Sequence, residues 1–268
     1  MRIAGCTAVV TGAASGIGRG IAQALAKRGC NLALADLNEV GLAETAAMAN
    51  GARVSTHRLD VADRDAVAAF PAAVVERHGG AELLFNNAGV AVGGTFEQVD
   101  EADFDWLMSI NFYGVVRMTR AFLPLLRAAD EARIVNISSI FGIIAPPGQT
   151  AYCASKFAVR AFSECLRNEL EAEGSRVGVT VVHPGGVATS IASSARPPRG
   201  VNDVDLEAQK ERIAKFLRMP PQQAGEIIVA GVEKGRPRVV VGRDAKFMAL
   251  TERLAPVSYW KLLGRALK

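Results

Sequence analysis

Cysteine and histidine are scarce in this sequence, and neither residue type forms a pattern typical of a metal site. The chain has four cysteines and three histidines among 268 residues, with no CxxC pair and no cluster of the two types. Zinc sites and disulfide frameworks require closely spaced ligands or paired cysteines. The sequence therefore predicts no metal site and four free thiols, as expected for a protein of the reducing cytoplasm.

Long apolar runs and a concentration of one charge sign are also missing. No segment reaches the roughly 20 apolar residues that a membrane-spanning helix needs, and the N-terminus lacks the pattern of a signal peptide. The 31 Lys and Arg residues are interleaved with 27 acids, which leaves a net charge of +4. Nucleic-acid-binding proteins usually concentrate their basic residues in one stripe, so we expect no nucleic-acid partner.

The chain does contain a regular alternation of short β-branched runs and Ala-rich helical segments. The strand-like runs are continuous and apolar, which is typical of parallel strands buried on both faces. Strands are predicted at 6–11, 31–36, 52–57, 82–86, 133–138, 178–183 and 238–241. Helices are predicted up to about residue 28 and at 39–49, 64–76, 101–128 (interrupted near Pro124) and 152–171. This order predicts a doubly wound α/β fold, with a mostly parallel seven-stranded sheet in a single domain.

Two segments stand apart from this alternation. Residues 190–219 are predicted to form a lid, helical at about 206–217, because residues 195–205 are rich in Pro, Arg, Gly and Asp. The basic C-terminal extension, 243–268, carries apolar residues at 247–263 that suit a membrane-surface helix or a helix packed on the body or on a neighbouring subunit. We favour packing, and expect no membrane contact, because Pro256 breaks the helix.

A glycine-rich turn follows the first predicted strand and precedes a helix. The run from Thr11 to Gly18 has the spacing GxxxGxG, and such glycines let the backbone approach a pyrophosphate at a helix N-terminus. Asp36 ends the second strand, where a carboxylate accepts hydrogen bonds from ribose hydroxyls and repels a 2′-phosphate. No Lys or Arg lies at 13–16 or at 37. The sequence predicts NAD, with NADP less favoured; a structural turn and a helix-capping aspartate are the alternatives.

Further motifs follow in a fixed order, namely Asn86-Asn87-Ala88-Gly89, Asn111, Ser139, Tyr152-x-x-x-Lys156 and Pro184-Gly185. With the glycine-rich turn, they resemble the short-chain dehydrogenase/reductase family over residues 3–241. The resemblance implies an oxidoreductase with a Rossmann fold and the strand order 3-2-1-4-5-6-7. The dinucleotide contacts that follow from it are Gly12, Ser15, Gly16, Ile17, Gly18, Asp36, Asp60, Val61, Asn87, Tyr152, Lys156, Pro184, Gly185, Val187 and Thr189.

The resemblance also implies distinct roles within this group. Asp60 would accept a hydrogen bond from the adenine amino group, and Thr189 would contact the nicotinamide carboxamide. Asn87 would support the central sheet, whereas Asn86 would lie near the adenosine ribose. Asn111 would anchor a water that links Lys156 to solvent.

Four residues are predicted to carry the chemistry: Asn111, Ser139, Tyr152 and Lys156. Tyr152 and Lys156 are one helical turn apart and share a helix face. A phenol with a pKa of about 10 is a poor base at neutral pH, and we expect the ammonium and a positive nicotinamide to lower the pKa of Tyr152. Ser139, at the carboxyl end of the fifth strand, is expected to hold the substrate oxygen. The neighbouring Ser138 is assigned a structural role.

The segments expected to line the substrate pocket are apolar. They are residues 90–92 and 140–144, which favour an apolar secondary alcohol or its ketone as substrate. Arg196 and Arg199 on the predicted lid could instead meet an acidic substrate. The resemblance also implies a homodimer or homotetramer, formed through the helices at 101–128 and 152–171.

Two other functions are compatible with the same fold, because a fold does not fix a function. A non-catalytic NAD-sensing or scaffold protein is one, although such a protein would be expected to lose Tyr152 or Lys156. An isomerase or dehydratase that uses a bound cofactor is the other.

Overall fold

Seven parallel strands form one sheet, with helices on both faces, in a computed structural model that describes residues 1–200 and 214–266. The strand order is β3-β2-β1-β4-β5-β6-β7, and every neighbouring pair is parallel. The predicted sheet and its order are confirmed. The strands are β1 Thr7–Thr11, β2 Asn31–Asp36, β3 Val54–Arg58, β4 Leu83–Asn86, β5 Ala132–Ile137, β6 Val177–Pro184 and β7 Arg238–Val241.

Two of the helices begin at aspartate caps. Asp63 and Asp100 accept backbone N–H groups at the starts of α3 and α4, and Gly79 ends α3 in the left-handed conformation. The bounds are α1 Gly16–Ala26, α2 Glu39–Ala47, α3 Arg64–His78, α4 Glu101–Met108, α5 Gly114–Ala128, α6 Thr150–Ala172, α7 Pro221–Glu233, α8 Arg243–Leu254 and α9 Tyr259–Ala266. Helix α7 has no counterpart among the helices predicted from the sequence.

The helical stretch predicted at 101–128 is interrupted, but at a different place from the one expected. Helix α5 continues through Pro124, whereas Ser109–Tyr113 form one π-helical turn between α4 and α5. Pro124 cannot donate to the Arg120 carbonyl, and both residues lie on the exposed side of the helix, where water can replace the lost donor. The π-helical turn displaces the helix by one residue and holds Asn111 at the site described below.

The two faces of the sheet bury separate cores. Val9 packs in one cluster with Phe70 of α3 and Phe122 of α5, and Val10 packs in another with residues that include Ile21 of α1 and Ile228 of α7. Successive residues of a strand point to opposite faces, so a sheet covered on both sides needs apolar residues at every position. This explains why the strands appear in the sequence as continuous apolar runs.

Helices α1 and α7 cross through two glycines. A Cβ atom on Gly20 would overlap the carbonyl oxygen of Pro221, and one on Gly225 would overlap the Gly20 carbonyl group. Arg28, just beyond α1, donates to the carboxylates of Glu226 and Glu233 at 2.9 Å each. The first helix of the chain is therefore fastened to the seventh.

The C-terminal extension forms two helices joined by a turn that contains Pro256, as the sequence indicated. Ala245 of α8 and Leu263 of α9 are buried against Ile140, Ile143 and Ile144. The Tyr259 hydroxyl accepts a hydrogen bond from the backbone N–H of Ala145 at 2.8 Å. The inner sides of both helices therefore pack on the body of the protein, in agreement with the interpretation favoured above.

The carboxyl ends of four central strands bring the predicted motifs together. The chain leaves β1 toward β2 on one side, while β4 pairs on the other side of β1, and such a reversal opens a crevice beyond the strand ends. The residues that follow β1, β4, β5 and β6 carry the glycine-rich turn, the Asn87 segment, Ser139 and the Pro184 segment. One edge of the sheet therefore holds these four motifs, and Lys156 reaches it from α6 through the Ile137 carbonyl.

Three sequence-based expectations concern absent features. All four cysteines are free thiols. Among residues 1–200 and 214–266, no group of three or more His, Cys, Asp or Glu side chains is placed to bind a metal ion. Within the same residues, no helix combines the length and apolarity that crossing a membrane requires.

Candidate active site

The glycine-rich turn has the backbone shape of a phosphate-binding loop. Gly12 and Gly16 adopt φ values of +64° and +53°, in the left-handed region that favours glycine. A Cβ atom on Gly18 would overlap the Gly12 carbonyl, so α1 begins close against the loop. Ser15 occupies the position before α1, is exposed, and makes no capping hydrogen bond with its side chain. The backbone amides at the start of α1 are thus presented toward the crevice, with Ile17 partly buried on the core beneath them.

Asn87 fixes this loop to the end of β4. Its side-chain amide donates to the carbonyls of Thr11 and Gly12, at 2.9 and 3.1 Å, and its backbone N–H donates to the Thr11 hydroxyl at 2.9 Å. A Cβ atom on Gly12 would lie 2.8 Å from the Asn87 amide nitrogen. Asn87 therefore sets the shape of the turn directly.

Asn86, the last residue of β4, is held by hydrogen bonds inside the protein. Its buried side chain donates to Thr119 at 3.1 Å and to Asn136 at 2.8 Å, and Asn136 in turn donates to Ser163 of α6. Successive strand residues point to opposite faces, so Asn86 faces α5 and α6 inside the protein. The Asn86 side chain therefore supports the central sheet, and its expected place near the adenosine ribose stays a prediction.

Asp36 is held at the carboxyl end of β2 by two backbone donors. Its carboxylate accepts from the N–H of Ala14 and of Asn38, at 3.0 Å each, which fixes the side chain against the glycine-rich turn. Arg58 on β3 is paired with Asp36 in the sheet register. It is a cation near Asp36 that lies outside positions 13–16 and 37, where the sequence has no Lys or Arg. The Arg58 guanidinium is mostly exposed and lies 4.0 Å from the Glu39 carboxylate.

Asp60 and Val61 form the far side of the same crevice. The Asp60 carboxylate accepts from the N–H of Ala62 at 2.8 Å. Val61 is buried against the start of α5, where a Cβ atom on Gly114 would lie 2.8 Å from a Val61 methyl group. A glycine at position 114 therefore lets Val61 pack close to α5.

Tyr152 and Lys156 face the same side of α6, as their spacing predicted. The Lys156 ammonium lies 5.5 Å from the centre of the Tyr152 ring and donates to the Ile137 carbonyl at 3.2 Å. Lys156 is only 3% exposed. Burial disfavours the charged form and lowers the pKa of Lys156 to about 8.

The pKa of Tyr152 shifts in the direction opposite to the one expected. Burial of the phenol raises its pKa to about 12, and hydrogen bonding to Ser139 opposes that rise without overcoming it. Desolvation outweighs any help from Lys156, whose ammonium is itself buried. The expectation that Lys156 lowers the pKa of Tyr152 is therefore wrong for the chain by itself.

Ser139 and Ser138 have separate surroundings at the end of β5. The Ser139 hydroxyl accepts from the Phe141 N–H at 3.1 Å and stays partly exposed beside Tyr152. The Ser138 hydroxyl is buried and donates to the Lys156 carbonyl at 2.8 Å. Ser138 thus fastens β5 to α6, in line with the structural role predicted for it.

Asn111 lies inside the π-helical turn and is fully buried. Its side chain accepts from the Val90 N–H at 2.8 Å and donates to the Val90 carbonyl at 2.9 Å. It also donates to the Ser155 hydroxyl at 3.2 Å. A Cβ atom on Gly89 would lie 3.2 Å from the Asn111 side-chain oxygen and 3.5 Å from the Lys156 nitrogen, so Asn111 and Lys156 border one small space.

The segment after β6 is held by the C-terminal extension. Pro184 ends β6, and the Gly185 N–H donates to the Val241 carbonyl at 2.9 Å. The next residue, Gly186, donates its N–H to the Asp244 carboxylate at 2.7 Å. Further along, Val187 is buried and forms a parallel bridge with Met219, and Thr189 approaches the glycine-rich turn, with a methyl group 3.1 Å from the place of a Cβ on Gly16.

His183, the residue before Pro184, contacts the site in a way that sequence reasoning missed. Its ring is fully buried, and Nδ1 lies 2.9 Å from the Ser139 carbonyl oxygen. A carbonyl oxygen only accepts, so Nδ1 carries the proton. Its Nε2 has no hydrogen-bond partner, and burial lowers the pKa of His183 to about 4. One isolated histidine in a sequence gives no signal for such a contact.

Within the predicted lid, the segment around Arg196 lies against the loop that follows β4. Arg196 and Val92 form a parallel bridge, and the Arg196 guanidinium stacks 3.5 Å from the centre of the Trp106 ring. Arg196 pairs with Asp103, and Arg199 pairs with Asp100. Both arginines are thus engaged within the protein, and the acidic-substrate alternative loses its support. Most of the helix predicted at 206–217 lies outside the described residues.

Apolar side chains surround Tyr152 and Ser139. Val90 and Val92 pack in one cluster with Tyr152 and Leu107, and the Phe141 ring meets the Tyr152 ring edge-on at 6.2 Å. The wall beyond Ser139 consists of the buried residues Ile140, Ile143 and Ile144. The surroundings of Tyr152 are therefore apolar, while the isoleucine wall is covered by α8 and α9.

Known proteins match both this sequence and this structure. The family model for short-chain dehydrogenases matches residues 6–200. SadH of Mycobacterium tuberculosis is 43% identical over 262 residues, which cover 97% of this chain and 94% of SadH. Oxidoreductase UcpA of Escherichia coli is 36% identical over 232 residues, covering 84% of this chain and 87% of UcpA.

A solved structure gives the same result at the level of the fold. The short-chain dehydrogenase/reductase from Burkholderia phymatum in complex with NAD aligns with a TM-score of 0.88 at 30% identity, and the alignment covers 95% of each chain. The sequence match, the seven-stranded parallel sheet and the ordered motifs at its carboxyl edge agree. The chain belongs to the short-chain dehydrogenase/reductase family and is an oxidoreductase with a Rossmann fold.

Proposed function

We propose that this protein transfers hydride between NAD(H) and the carbinol or carbonyl carbon of an apolar secondary alcohol or ketone. One observation carries the proposal. Tyr152, Ser139 and Lys156 meet at the carboxyl edge of the sheet, between the glycine-rich turn and the 184–189 segment. Open α/β sheets bind dinucleotides at this edge.

The residues of the crevice fit a dinucleotide. Gly12, Gly16 and Gly18 leave a cradle that side chains would fill, and the free hydroxyl of Ser15 stands at its rim. We assign the pyrophosphate to this cradle, the adenosine to Asp36, Asp60 and Val61, and the nicotinamide end to Pro184, Gly185, Val187 and Thr189. A bound nicotinamide supplies the acceptor or donor of the hydride.

The chain itself supplies position and proton transfer. In the oxidation direction, Tyr152 takes the proton of the substrate hydroxyl, and in reduction it returns that proton. Ser139 holds the substrate oxygen and stabilises negative charge on it. Lys156 provides a buried positive charge near the phenolate and a donor for the nicotinamide ribose, while Asn111 keeps the 89–90 segment in place around that ammonium. A phenol with a raised pKa needs this positive environment in order to act as a base.

Asp36 supports NAD over NADP. Its carboxylate is fixed by Ala14 and Asn38 at the point where a 2′-phosphate would add negative charge. Two nearby cations could offset this charge, and each has an acidic partner: Arg58 lies 4.0 Å from Glu39, and Arg19, which donates to the Ala14 carbonyl, pairs with Glu44. We therefore expect kcat/KM to be higher with NADH than with NADPH; the opposite order would contradict the NAD assignment.

Removal of the Tyr152 hydroxyl tests the assignment of this residue as the proton donor and acceptor. Tyr152→Phe keeps the ring but removes the proton donor, and we expect kcat to fall by about 10²–10⁴-fold with little change in the affinity for NADH. Tyr113→Phe is the matched control, because Tyr113 is half exposed on the π-helical turn. Turnover by Tyr152→Phe near the wild-type rate would refute the assignment. A net change in NADH with substrate also separates this proposal from a scaffold protein and from an isomerase or dehydratase.

A panel of alcohols and ketones tests the substrate class. Val90 and Val92 pack in the cluster that includes Tyr152, and Phe141 meets its ring, so apolar secondary alcohols should have the lowest KM values. Turnover restricted to sugars or charged substrates would overturn this part of the proposal.

Helices α5 and α6 support a homodimer or homotetramer. A surface depression of about 400 Å³ lies between them, and its lining is mostly apolar, with Val116, Leu123, Pro124, Phe162 and Leu166. Exposed apolar clefts on helices commonly mark subunit contacts. Light scattering coupled to gel filtration should give a mass of two or four chains, and a strict monomer would contradict the proposal. We expect the assembly in the cytoplasm.

A further inference from the structure

The outer side of α8 is apolar and exposed. Phe247, Leu250 and Leu254 recur at spacings of three and four residues, so they share one face of the helix, and Val257 continues that face into the turn. Their exposed fractions run from 55% for Leu250 to 95% for Val257. We call these four residues the C-terminal apolar face.

The opposite side of α8 is also apolar. Ala245 is fully buried, and Met248 and Ala249 pack against the Ile140–Ile144 wall. Charged residues, Arg243, Lys246 and Arg253, lie between the two apolar sides. The C-terminal apolar face stays exposed among the described residues, and contiguous exposed apolar patches commonly mark sites of interaction with proteins or membranes.

The charges around the face indicate which partner it is. Residues 243–268 contain six Lys and Arg against two acids, an excess equal to the net charge of +4 of the whole chain. Arg243, Lys246 and Arg253 are exposed beside the face on α8, and Lys261 is exposed on α9. Of the two acids, Asp244 is engaged by the Gly186 N–H.

We propose that the C-terminal apolar face docks on the surface of an anionic lipid bilayer. Apolar side chains flanked by Lys and Arg insert at the headgroup boundary, and the cations attract anionic headgroups. A second copy fits less well, because a twofold contact through this face would bring Lys246 and Arg253 toward their own copies. The proposal departs from the sequence-based expectation, since Pro256 limits each helix but leaves the outer face of α8 intact.

The position of the face links membrane docking to the active site. The inner side of α8 packs on the Ile140–Ile144 wall, which begins immediately after Ser139. Asp244 of α8 accepts a hydrogen bond from the Gly186 N–H, in the proposed nicotinamide segment. Docking through α8 would therefore place the bilayer against a helix that contacts both of these segments. This link to the active site rests on the proposed function, whereas docking itself does not.

Vesicle co-sedimentation tests the docking proposal without cofactor or substrate, so its result does not depend on the proposed reaction. The full chain is mixed with vesicles of phosphatidylcholine and phosphatidylglycerol, or of phosphatidylcholine alone, at low and high salt. We expect the wild-type protein to sediment with the anionic vesicles, and the bound fraction to fall at least about tenfold with neutral vesicles. A wild-type protein that stays in the supernatant with anionic vesicles would overturn the proposal.

Variants separate the face from the rest of the surface. Phe247→Ser/Leu250→Ser/Leu254→Ser should lower binding at least about tenfold, and Lys246→Gln/Arg253→Gln should lower it by a similar factor at low salt. Val40→Ser/Val75→Ser is the control, because these residues are exposed on α2 and α3; it should bind like wild type. All substitutions are on exposed side chains, and unchanged thermal unfolding will verify the fold.

Gel filtration of the same proteins tests the alternative that a second copy of the chain covers the C-terminal apolar face. If the triple serine variant dissociates into smaller species and still binds vesicles like wild type, the face is an interface between copies and the proposal fails. Loss of vesicle binding with an unchanged oligomeric state supports the proposal.

Discussion

The His183 ring donates from Nδ1 to the Ser139 carbonyl at 2.9 Å. This hydrogen bond joins β6 to the residue that we propose holds the substrate oxygen. The Gly142 backbone N–H donates to the same carbonyl at 2.9 Å, and His183 is the one side chain bonded to it among the described residues, so His183 helps to fix the Ser139 backbone. His183 is a positioning residue, since it reaches the reaction only through Ser139.

Removing this donor should impair turnover while leaving cofactor binding intact. His183→Leu deletes the N–H, and small displacements of a catalytic group cost up to about 10²-fold in rate, so we expect kcat to fall about 10- to 100-fold. His183→Asn places an amide N–H near the position of Nδ1 and should recover most of the loss. Equal kcat values for His183→Leu and wild type, or no recovery in His183→Asn, would contradict the role.

The buried ring should also make the protein sensitive to acid. The pKa of His183 falls from 6.5 to about 4 in the folded state, so the unfolded chain binds more protons in that range. Stability should be unaffected above pH 6.5 and should fall as the pH drops toward 4, by roughly 2–3 kcal/mol at about pH 4.5. Arg238, Arg160 and Glu164 are the charged groups around the ring.

Urea unfolding at neutral pH and at about pH 4.5 measures this loss. His183→Asn should lose less of its unfolding free energy than wild type over this interval. His57 and His78, whose pKa values are also lowered by burial, remain in both proteins and cancel in the comparison. Parallel pH profiles for the two proteins would rule out His183 as the source.

Lys156 should reduce stability at neutral pH. Burial lowers its pKa from 10.5 to about 8, so at pH 7 the folded protein holds a charge that the unfolded chain holds more favourably. Lys156→Met should therefore raise the free energy of unfolding by about 1–3 kcal/mol and abolish turnover. The gain should shrink between pH 8 and 10.5, as the folded wild type loses its buried charge. Differential scanning calorimetry at pH 7 and about pH 10 measures both parts.

Arg196 should hold the 191–200 segment over the pocket. Its stacking on Trp106 and its pair with Asp103 are both partly exposed, and together they contribute about 1–2 kcal/mol. Arg196→Ala should raise the substrate KM by about 5- to 30-fold, with little change in the Kd for NADH. Arg199→Ala is the comparison, because its pair with Asp100 is more exposed and should matter less. A substrate KM that does not respond to Arg196→Ala would show that the contact is dispensable.

The sheet was predictable because burial on both faces leaves an unbroken apolar run for each strand. The observed strands agree with the predicted ones within two residues, as for β2 and β7. Helix α7 was not predicted, since Gly225 and Gly231 interrupt its sequence. Both glycines serve tertiary contacts, Gly225 with α1 and Gly231 with Val239 of β7, which a local pattern cannot reveal.

The sequence was enough to predict which residues come together at the candidate site, but not the pKa values of their side chains. The spacing of Tyr152 and Lys156 fixes a shared helix face, whereas the pKa of Tyr152 depends on burial, which no local sequence determines. Asn86 is the last residue of β4 and Asn87 follows it, so their side chains point in opposite directions. A sequence-based error of one residue is enough to exchange the roles assigned to them. His183 and Arg58 meet the site from distant strands and gave no local signal.

The glycine crossing of α1 and α7 has a consequence for protein synthesis. Residues 221–233 leave the ribosome long after β1, the glycine-rich turn and α1, yet they cover Ile21 and Gly20 of α1. The nascent cofactor half must therefore expose that apolar surface until nearly all of the chain has been translated. A chain released before α7 would present this surface to chaperones and proteases, and we expect such fragments to be degraded instead of accumulating as a cofactor-binding domain.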